Sequence, residues 1–374
     1  DRLAAETVKF IESNKDRPFF ALLSFYSVHT PLMARADLQR KYEEKRARLA
    51  LAEQWGREHE RDVRLVQAHA VYAGMVEAMD LAVGKVLAKL DGLGLTRNTL
   101  VIFTSDNGGL STSEGWPTSN LPLRAGKGWV YEGGIREPLL VRWPAKIRPG
   151  TLPGTPVSSP DFFPTLLEVA GAKPQPGQRL DGLSLLPLFE GGALPERPLF
   201  WHYPHYGNQG GAPCAAVRRG DWKLIEWLED GRTELFNLAE DLSERNDRAT
   251  REPQRVAQLR DELRTWQKQV GARSPVPNPH YDPARPSGRA ALRIPAPAQP
   301  DRTPAGPVLA VAADRADATY AQGAPVTFIV TLRADPGPAR EDRVDWTLSK
   351  DGVPPITQGV AQLTDGRATV VGKL

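Results

Sequence analysis

The sequence predicts an α/β fold with a mostly parallel sheet flanked by helices, because helix, strand and polar site recur in the same order. Between residues 72 and 90 apolar side chains are spaced by three and four, which is typical of a helix packed on one face. Residues 100–104 then form an apolar and β-branched run that ends abruptly in polar residues and glycines. Residues 3–14 and 18–25 repeat this order upstream, as expected of a parallel α/β sheet.

Composition excludes several classes of partner. The chain has 374 residues, enough for a large core and a second module. The net charge is only +3, so no nucleic-acid or membrane-surface partner follows from charge, and no apolar run is long enough to span a membrane. A single cysteine, Cys214, leaves no internal disulfide. Because the sequence starts inside a helical pattern and without methionine, we expect a fragment of a longer protein.

The polar residues after the run at 100–104 are the first candidate site. In open α/β sheets the ligand crevice lies beyond the carboxyl ends of the strands, where Asp106 and Asn107 stand. Paired carboxylate and amide oxygens suit a hard cation such as Ca²⁺ or Mg²⁺. The alternative is an Asx-turn that merely closes the strand.

Four ordered motifs carry a resemblance to a known family. They are Asp106-Asn107-Gly108, the segment Gly126-Lys127 through Tyr131-Glu132-Gly133-Gly134 to Arg136-Glu137-Pro138, the upstream His29-Thr30-Pro31, and residues 158–167. Over residues 1–268 the chain resembles the sulfatase family of the alkaline-phosphatase-like superfamily. The resemblance implies a sulfuric ester hydrolase. The aromatic loop at residues 201–206 and the polysaccharide-associated β-module at the C-terminal end favour a sulfated glycan as substrate over a small aryl or choline ester.

The resemblance assigns roles to four residues. Lys127 and His29 would contact the sulfate, and His29 is sometimes assigned as the acid. Asp106 and Asn107 match two of the four usual ligands of one divalent cation, commonly Ca²⁺. The alternatives are a surface lysine in a flexible loop and a structural histidine.

Three further residues are predicted to bind substrate. Arg124 could reach an anionic sugar, and a solvated arginine is the alternative. His202 and His205 lie in an aromatic-rich loop where the family shapes its substrate pocket, although an aromatic packing cluster explains them equally well. His59 and His69 receive no role, and Arg136 is expected to pair with Glu137.

The sequence departs from the family at the nucleophile. Sulfatases use a formylglycine made within a Cys- or Ser-x-Pro-x-Arg motif, which this sequence lacks, and Cys214 stands in an unrelated context. Two aspartates of the metal site are also missing. We expect these groups upstream of Asp1, so that the chain alone is inactive, and by resemblance we expect a periplasmic or secreted protein of undetermined oligomeric state.

Two other functions remain open from the sequence. A phosphatase or phosphonate hydrolase of the same superfamily would share the sheet, but its zinc sites usually use several histidines, and Asn107 after the strand-end aspartate argues against it. A non-catalytic, carbohydrate-binding relative would lack the nucleophile altogether.

Changes in composition and in hydrophobic pattern along the chain predict four parts. Residues 1–195 would be part of the catalytic α/β domain, with a solvated helical excursion at 35–65. Residues 196–270 would form a smaller subdomain, with antiparallel strands and a covering helix at positions 215–218, 222–227, 233–237 and 255–269.

The last two predicted parts are a linker and a β-module. Residues 271–306 are proline-rich, since ten of the chain's 34 prolines lie between 274 and 307. Residues 307–374 would be a partial immunoglobulin-like module, with strands at 326–332 and 344–348 and turns at Asp351-Gly352 and Asp365-Gly366. This part weakly resembles a β-module of acetyl-xylan esterases.

Overall fold

The computed structural model describes residues 2–279 continuously and, beyond them, five strands and Thr364. The chain divides into two compact units, Asp1–Tyr281 and Asp282–Leu374, which are described separately.

The first unit contains helices in the four segments where the sequence predicts them, residues 3–14, 35–65, 72–90 and 255–269, and shorter helices elsewhere. Their bounds are α1 (Arg2–Asn14), α2 (Ala36–Arg48), α3 (Ala70–Gly92), α4 (Glu132–Ile135), α5 (Phe162–Val169), α6 (Leu186–Phe189) and α7 (Pro253–Val270). Both α1 and α2 pack on α3, the longest of them. The ring of His69 accepts a hydrogen bond from the backbone N–H of Tyr72 at 3.2 Å, so this histidine caps the start of α3.

Residues 35–65 are only partly helical, although the sequence predicts a helical excursion there. After α2 the chain forms a hairpin of β1 (Trp55–Glu58) and β2 (Arg61–Arg64). The dense charges concealed this hairpin, because its arginines and glutamates pair with other segments instead of with solvent alone. Glu58, for example, lies 2.8 Å from Arg124, and the guanidinium of Arg64 donates to the backbone carbonyl of Trp116.

Two strand predictions for the catalytic part need correction. Residues 18–25 form no ladder within the described chain, and Phe20 and Leu22 are 67% and 80% exposed, because no neighbouring strand covers them. The predicted strand after the helix is present as β3 (Val101–Thr104), and it pairs with β4 (Leu139–Arg142). That pairing is antiparallel, with Thr104 opposite Leu139, although a parallel neighbour was expected.

The antiparallel strands and the covering helix predicted for the small subdomain are present, with one strand added. The sheet runs in the order β5 (Leu199–Tyr203), β6 (Cys214–Arg219), β7 (Trp222–Trp227) and β8 (Thr233–Asn237). Alternate residues of β6 face opposite sides, so Ala215 and Val217 pack with Leu259 and Leu263 of α7. His202 therefore lies on β5, where a loop was expected.

The second unit contains antiparallel strands. The described strands form a three-stranded sheet in the order β13 (Arg367–Lys373), β10 (Pro325–Arg333) and β9 (Val308–Ala313), and a two-stranded sheet of β11 (Arg343–Leu348) and β12 (Thr357–Gln362). The strands predicted at 326–332 and 344–348 are confirmed. The two predicted turns and residues 280–306 of the linker lie outside the described residues, and the immunoglobulin-like module stays a prediction.

Candidate active site

The Asp106–Asn107 pair lies in a turn just beyond β3. The Ser105 hydroxyl donates to the Asn107 carbonyl at 2.9 Å, and the Asn107 side-chain amide donates to Asp106 Oδ1 at 3.1 Å. Asp106 is exposed and Asn107 is half-buried. The carboxylate and the amide thus stand side by side at the surface, as the sequence predicts.

Backbone contacts fix this turn against the segment that contains Lys127. The N–H of Gly108 donates to the carbonyl of Gly134 at 3.1 Å, and the N–H of Lys127 donates to the carbonyl of Gly109 at 3.2 Å. A Cβ atom at Gly108 or Gly126 would lie 1.8 Å or 2.2 Å from a backbone oxygen of the opposing segment. Only glycine therefore allows the two segments to touch, which explains these glycines.

Lys127 is half-buried. Within the described residues, its ammonium group has no carboxylate in ion-pairing range. A lysine next to a carboxylate-containing turn and without a protein counter-ion is able to bind an anion.

His29 is exposed, and its Nδ1 lies 2.7 Å from the carbonyl oxygen of Thr30. Because a carbonyl only accepts, Nδ1 carries the hydrogen, and Nε2 is the nitrogen left to exchange a proton with a ligand. No hydrogen bond joins His29 to the Lys127 segment in the part of the chain that the structure describes. Its role at the sulfate stays a prediction.

Arg124 is occupied by protein partners. Its guanidinium lies 2.8 Å from Glu58 Oε1, donates to the Glu244 carbonyl at 2.8 Å, and stacks 3.7 Å from the ring centre of Tyr131. These contacts tie the β1–β2 hairpin to the Lys127 segment. The predicted contact of Arg124 with an anionic sugar stays a prediction.

Glu132, in the family motif, belongs to a buried charge cluster. Lys223 Nζ, on β7, lies 2.9 Å from Glu132 Oε1 and 2.8 Å from Glu244 Oε1, and all three side chains are at most 2% exposed. Glu244 also accepts the backbone N–H of Glu132 at 2.6 Å. The sequence gives no local signal for this cluster, because its members are 91 and 112 residues apart.

Further arginines set the charge balance of this cluster. Arg218 and Arg136 lie 3.6 Å and 3.5 Å from Glu132 Oε2, so Arg136 pairs with Glu132 and not with Glu137 as expected. Burial raises the pKa of Glu132, but the charges of Lys223 and the two arginines outweigh burial and leave that pKa below its usual value. Burial dominates at Glu244 and raises its pKa.

Glu137 is the acidic group nearest in register to the Asp106 turn. Thr104 is opposite Leu139 at the end of the β3–β4 ladder, and Asp106 and Glu137 lie two residues beyond that pair on their respective segments. Oε1 of Glu137 is buried without a hydrogen-bond partner. Burial, and then the charge of Asp106, raise the pKa of Glu137 to about 7.

The side-chain oxygens of Asp106, Asn107 and Glu137 are of the chemical type that a hard cation prefers, but they are too few to complete its coordination. Asp106 and Asn107 offer the oxygen donors that Ca²⁺ prefers, and Glu137 Oε1 is a buried oxygen without a hydrogen-bond partner. Among the residues described, no group of three or more His, Cys, Asp or Glu could hold a metal ion. A bound cation would therefore need further ligands beside these.

Sequence reasoning missed the aromatic cluster around Tyr131. The Tyr131 hydroxyl donates to Glu234 at 2.7 Å and accepts from His59 Nε2 at 3.2 Å. The His59 ring also packs 5.2 Å from Trp129 and 5.6 Å from Trp227, measured between ring centres. His59 thus fastens the hairpin onto the segment that contains Lys127.

His202 and His205 occupy different environments. Both ring nitrogens of His202 have partners, Arg273 O at 2.8 Å and Gln267 Nε2 at 3.1 Å. His205 is exposed to solvent, and its ring contacts the ring of Tyr203 edge-on. Just after them, the Gln209 carbonyl accepts from Trp129 Nε1 at 3.1 Å, so the 207–211 loop lies on the Lys127 segment. Sugar binding by the two histidines stays a prediction.

The close backbone contact at Gly108 predicts that one methyl group added at this position strongly affects stability. We expect Gly108→Ala to destabilise the protein and to separate the turn from the Lys127 segment, because the new Cβ would lie 1.8 Å from a carbonyl oxygen. Gly84→Ala is the matched control, because nothing lies within 4 Å of a Cβ at that helical position and alanine favours helix by about 0.5–1 kcal/mol. Urea unfolding measures both, and equal stability of the two variants would contradict the steric account.

The His59 environment predicts a pH-dependent stability. Burial lowers the pKa of His59 below its ordinary 6.5; Glu58 and Glu234 oppose this shift, while Arg124 and Arg232 add to it. The unfolded chain therefore binds more protons than the native one as pH falls through 6.5, so the free energy of unfolding decreases. We expect His59→Gln to flatten this decrease between about pH 7.5 and 5.5, and exposed His205→Gln to leave it unchanged. An unaltered slope in His59→Gln would contradict the assignment.

Two family profiles together match residues 1–269 of the chain. The family profile described as "Sulfatase" matches residues 1–172, and the profile "N-sulphoglucosamine sulphohydrolase, C-terminal" matches residues 125–269. A "Sulfatase" of Formosa agariphila is 36% identical over 292 residues, covering 71% of this chain and 49% of that protein. Mouse steryl-sulfatase is 40% identical over 209 residues, covering 54% of this chain and 29% of its own length. The chain thus spans about half or less of these relatives.

Solved structures agree with the sequence relatives. Ps i-CgsB, solved in complex with k-i-k-neocarrahexaose, is 31% identical with a TM-score of 0.59, covering 71% of this chain and 54% of that one. The PsFucS1 sulfatase from Pseudoalteromonas sp. is 22% identical with a TM-score of 0.54, covering 72% and 52%, and shows the shared fold alone. From the ordered motifs, the geometry around them and the two adjoining profiles, the chain belongs to the sulfatase family of the alkaline-phosphatase-like superfamily.

Proposed function

We propose that this chain supplies the cation-binding and sulfate-binding groups of a sulfuric ester hydrolase. The observation that carries the proposal is the glycine contact, which holds the Asp106–Asn107 turn against the segment of Lys127 through two backbone hydrogen bonds. One locus then carries oxygens for a hard cation and an ammonium group without a counter-ion among the described residues. That combination suits an anionic ester group held between two positive charges.

Each candidate residue would have a separate role in the hydrolysis of the sulfate ester. Asp106 and Asn107 would hold Ca²⁺, which when bound supplies positive charge to the sulfuryl oxygens. Lys127 would bind another sulfuryl oxygen, and this contact becomes stronger as negative charge develops on that oxygen. His29 would donate the proton on Nε2 to the alcohol oxygen while the nucleophile, which this chain lacks, takes the sulfuryl group, so that the S–O bond breaks and the alcohol leaves neutral.

The nucleophile is the missing part of this mechanism. The sequence contains no Cys- or Ser-x-Pro-x-Arg motif from which a formylglycine is made in the family. Cys214 is no substitute, because it is buried and burial raises the pKa of its thiol to about 12. We therefore expect this chain by itself to bind cation and sulfate ester without turning the ester over.

The proposed substrate is a sulfated glycan. A mouse relative named N-acetylgalactosamine-6-sulfatase is 37% identical over 171 residues, covering 46% of this chain and 32% of its own length, and the solved Ps i-CgsB complex contains an oligosaccharide. Exposed Tyr206 and His205 precede the loop that lies on the Lys127 segment, where rings would face a sugar. A carbohydrate substrate also favours a periplasmic or secreted protein. No helix in the described ranges is long and apolar enough to cross a membrane.

Removing the Asp106 charge is expected to weaken cation binding. Asp106→Asn keeps the shape of the side chain but removes the formal charge on which affinity for a hard cation depends. We expect calcium affinity, measured by calorimetry, to fall by about tenfold or more. The exposed turn residue Asp230 provides a control, and Asp230→Asn should bind calcium as the parent chain does. Full affinity in Asp106→Asn would exclude this site.

Removing the Lys127 charge is expected to weaken binding of the sulfate group. A charge-assisted hydrogen bond contributes about 1.5–3 kcal/mol, so Lys127→Gln should bind a sulfated carrageenan oligosaccharide roughly tenfold to a hundredfold less tightly at saturating calcium. The desulfated oligosaccharide should not discriminate between the proteins. Lys173→Gln, at an exposed lysine, is the control. Equal binding of the sulfated oligosaccharide by the parent chain, Lys127→Gln and Lys173→Gln would show that Lys127 is an ordinary surface lysine.

A further inference from the structure

Lys223 is a fully buried cation that the proposed chemistry does not use. It projects from β7 toward the family motif and contacts two buried carboxylates, Glu132 and Glu244. Burying three ionisable side chains in their charged forms carries a large desolvation penalty, and apolar residues of similar volume often stabilise a fold equally well. The cluster is therefore poorly explained by stability alone.

Hydrogen bonds lead from this cluster to the cation turn. Glu244, held by Lys223, accepts the backbone N–H of Glu132, the first residue of α4. Gly134, in the same single-turn helix, accepts the N–H of Gly108 through its carbonyl. Gly108 directly follows Asn107. The small subdomain is thus connected to the proposed cation ligands by a short and unbroken series of buried contacts.

We propose that Lys223 is a positioning residue through which the C-terminal sheet holds the Asp106–Asn107 turn in its cation-binding geometry. This inference rests on the proposed function for its cation, while the positioning itself concerns the protein alone. Coupling between two sites is reciprocal, so a cation bound at the turn also stabilises the seating of β7 on α4.

The opposite face of β7 offers a matched control. Glu226, three residues after Lys223, is buried and contacts Arg260 and Arg264 of α7 at 2.6 Å and 2.8 Å. Glu226→Gln weakens an ion pair of the same strand without touching Glu132. Any effect of general destabilisation of the sheet appears in this variant as well.

The test variant must fold, so its charges are balanced. Lys223→Met alone leaves two buried carboxylates with too few cations, whereas Lys223→Met with Glu244→Gln leaves Glu132 opposed by Arg218 and Arg136. The amide introduced by Glu244→Gln retains an oxygen that accepts the N–H of Glu132. Thermal unfolding of the whole chain establishes that this double variant and Glu226→Gln are folded.

Two measurements on the whole chain then decide the proposal: calcium affinity by calorimetry and hydrogen exchange of the Gly108 amide. In the double variant we expect calcium binding to be about tenfold weaker and Gly108 exchange about tenfold faster, within the usual range of coupling between sites. In Glu226→Gln both should stay within about twofold of the parent chain.

Each other outcome has a definite meaning. Parental calcium affinity and parental Gly108 exchange in the folded double variant would overturn the proposal, as would equal changes in Glu226→Gln. If the parent chain binds no calcium, the proposed cation site fails. The exchange rate of Gly108 then decides the positioning role by itself.

Discussion

Steric exclusion of side chains between two backbone segments is the constraint on which the rest of this site depends. The turn after β3 and the segment around Lys127 approach so closely that a single Cβ at Gly108 or Gly126 would overlap a backbone oxygen. Direct backbone hydrogen bonds replace side-chain packing there. A carboxylate, an amide and a lysine thereby share one rigid locus, although each comes from an irregular segment that would be free to move alone.

Buried charge is the second element that shapes the site, because it pairs several cations with carboxylates of the protein. Arg124 is bound to Glu58, and Lys223 is bound to Glu132 and Glu244. These pairs join the Lys127 segment to the hairpin and to the C-terminal sheet. Lys127 itself stands apart from them, without a carboxylate in range among the described residues. A cation that the fold leaves uncompensated is the one available to an external anion.

The sheet of β5 to β8 packs against the rest of its unit on both faces. One face packs on α7 through Leu259 and Leu263, while the other contributes Trp227 and Phe236 to the core around Tyr131. Its apolar side chains set the position of the interface, and its charged side chains fix the orientation of the family motif. This division explains why the motif contains Tyr131 and Glu132, which are too deeply buried to meet a substrate.

Local pattern in the sequence determined the elements and the motif residues. Helical spacing predicted α3 and α7, strand-forming runs separated by turns predicted β6 to β8, and ordered motifs singled out Asp106, Asn107 and Lys127 as candidates. Tertiary structure alone decided the pairing of β3 with β4, the hairpin that contains His59 and the cluster around Lys223. These features join residues that are far apart in the chain, and periodicity within a segment carries no information about which distant segment will neutralise its charges or complete its ladder.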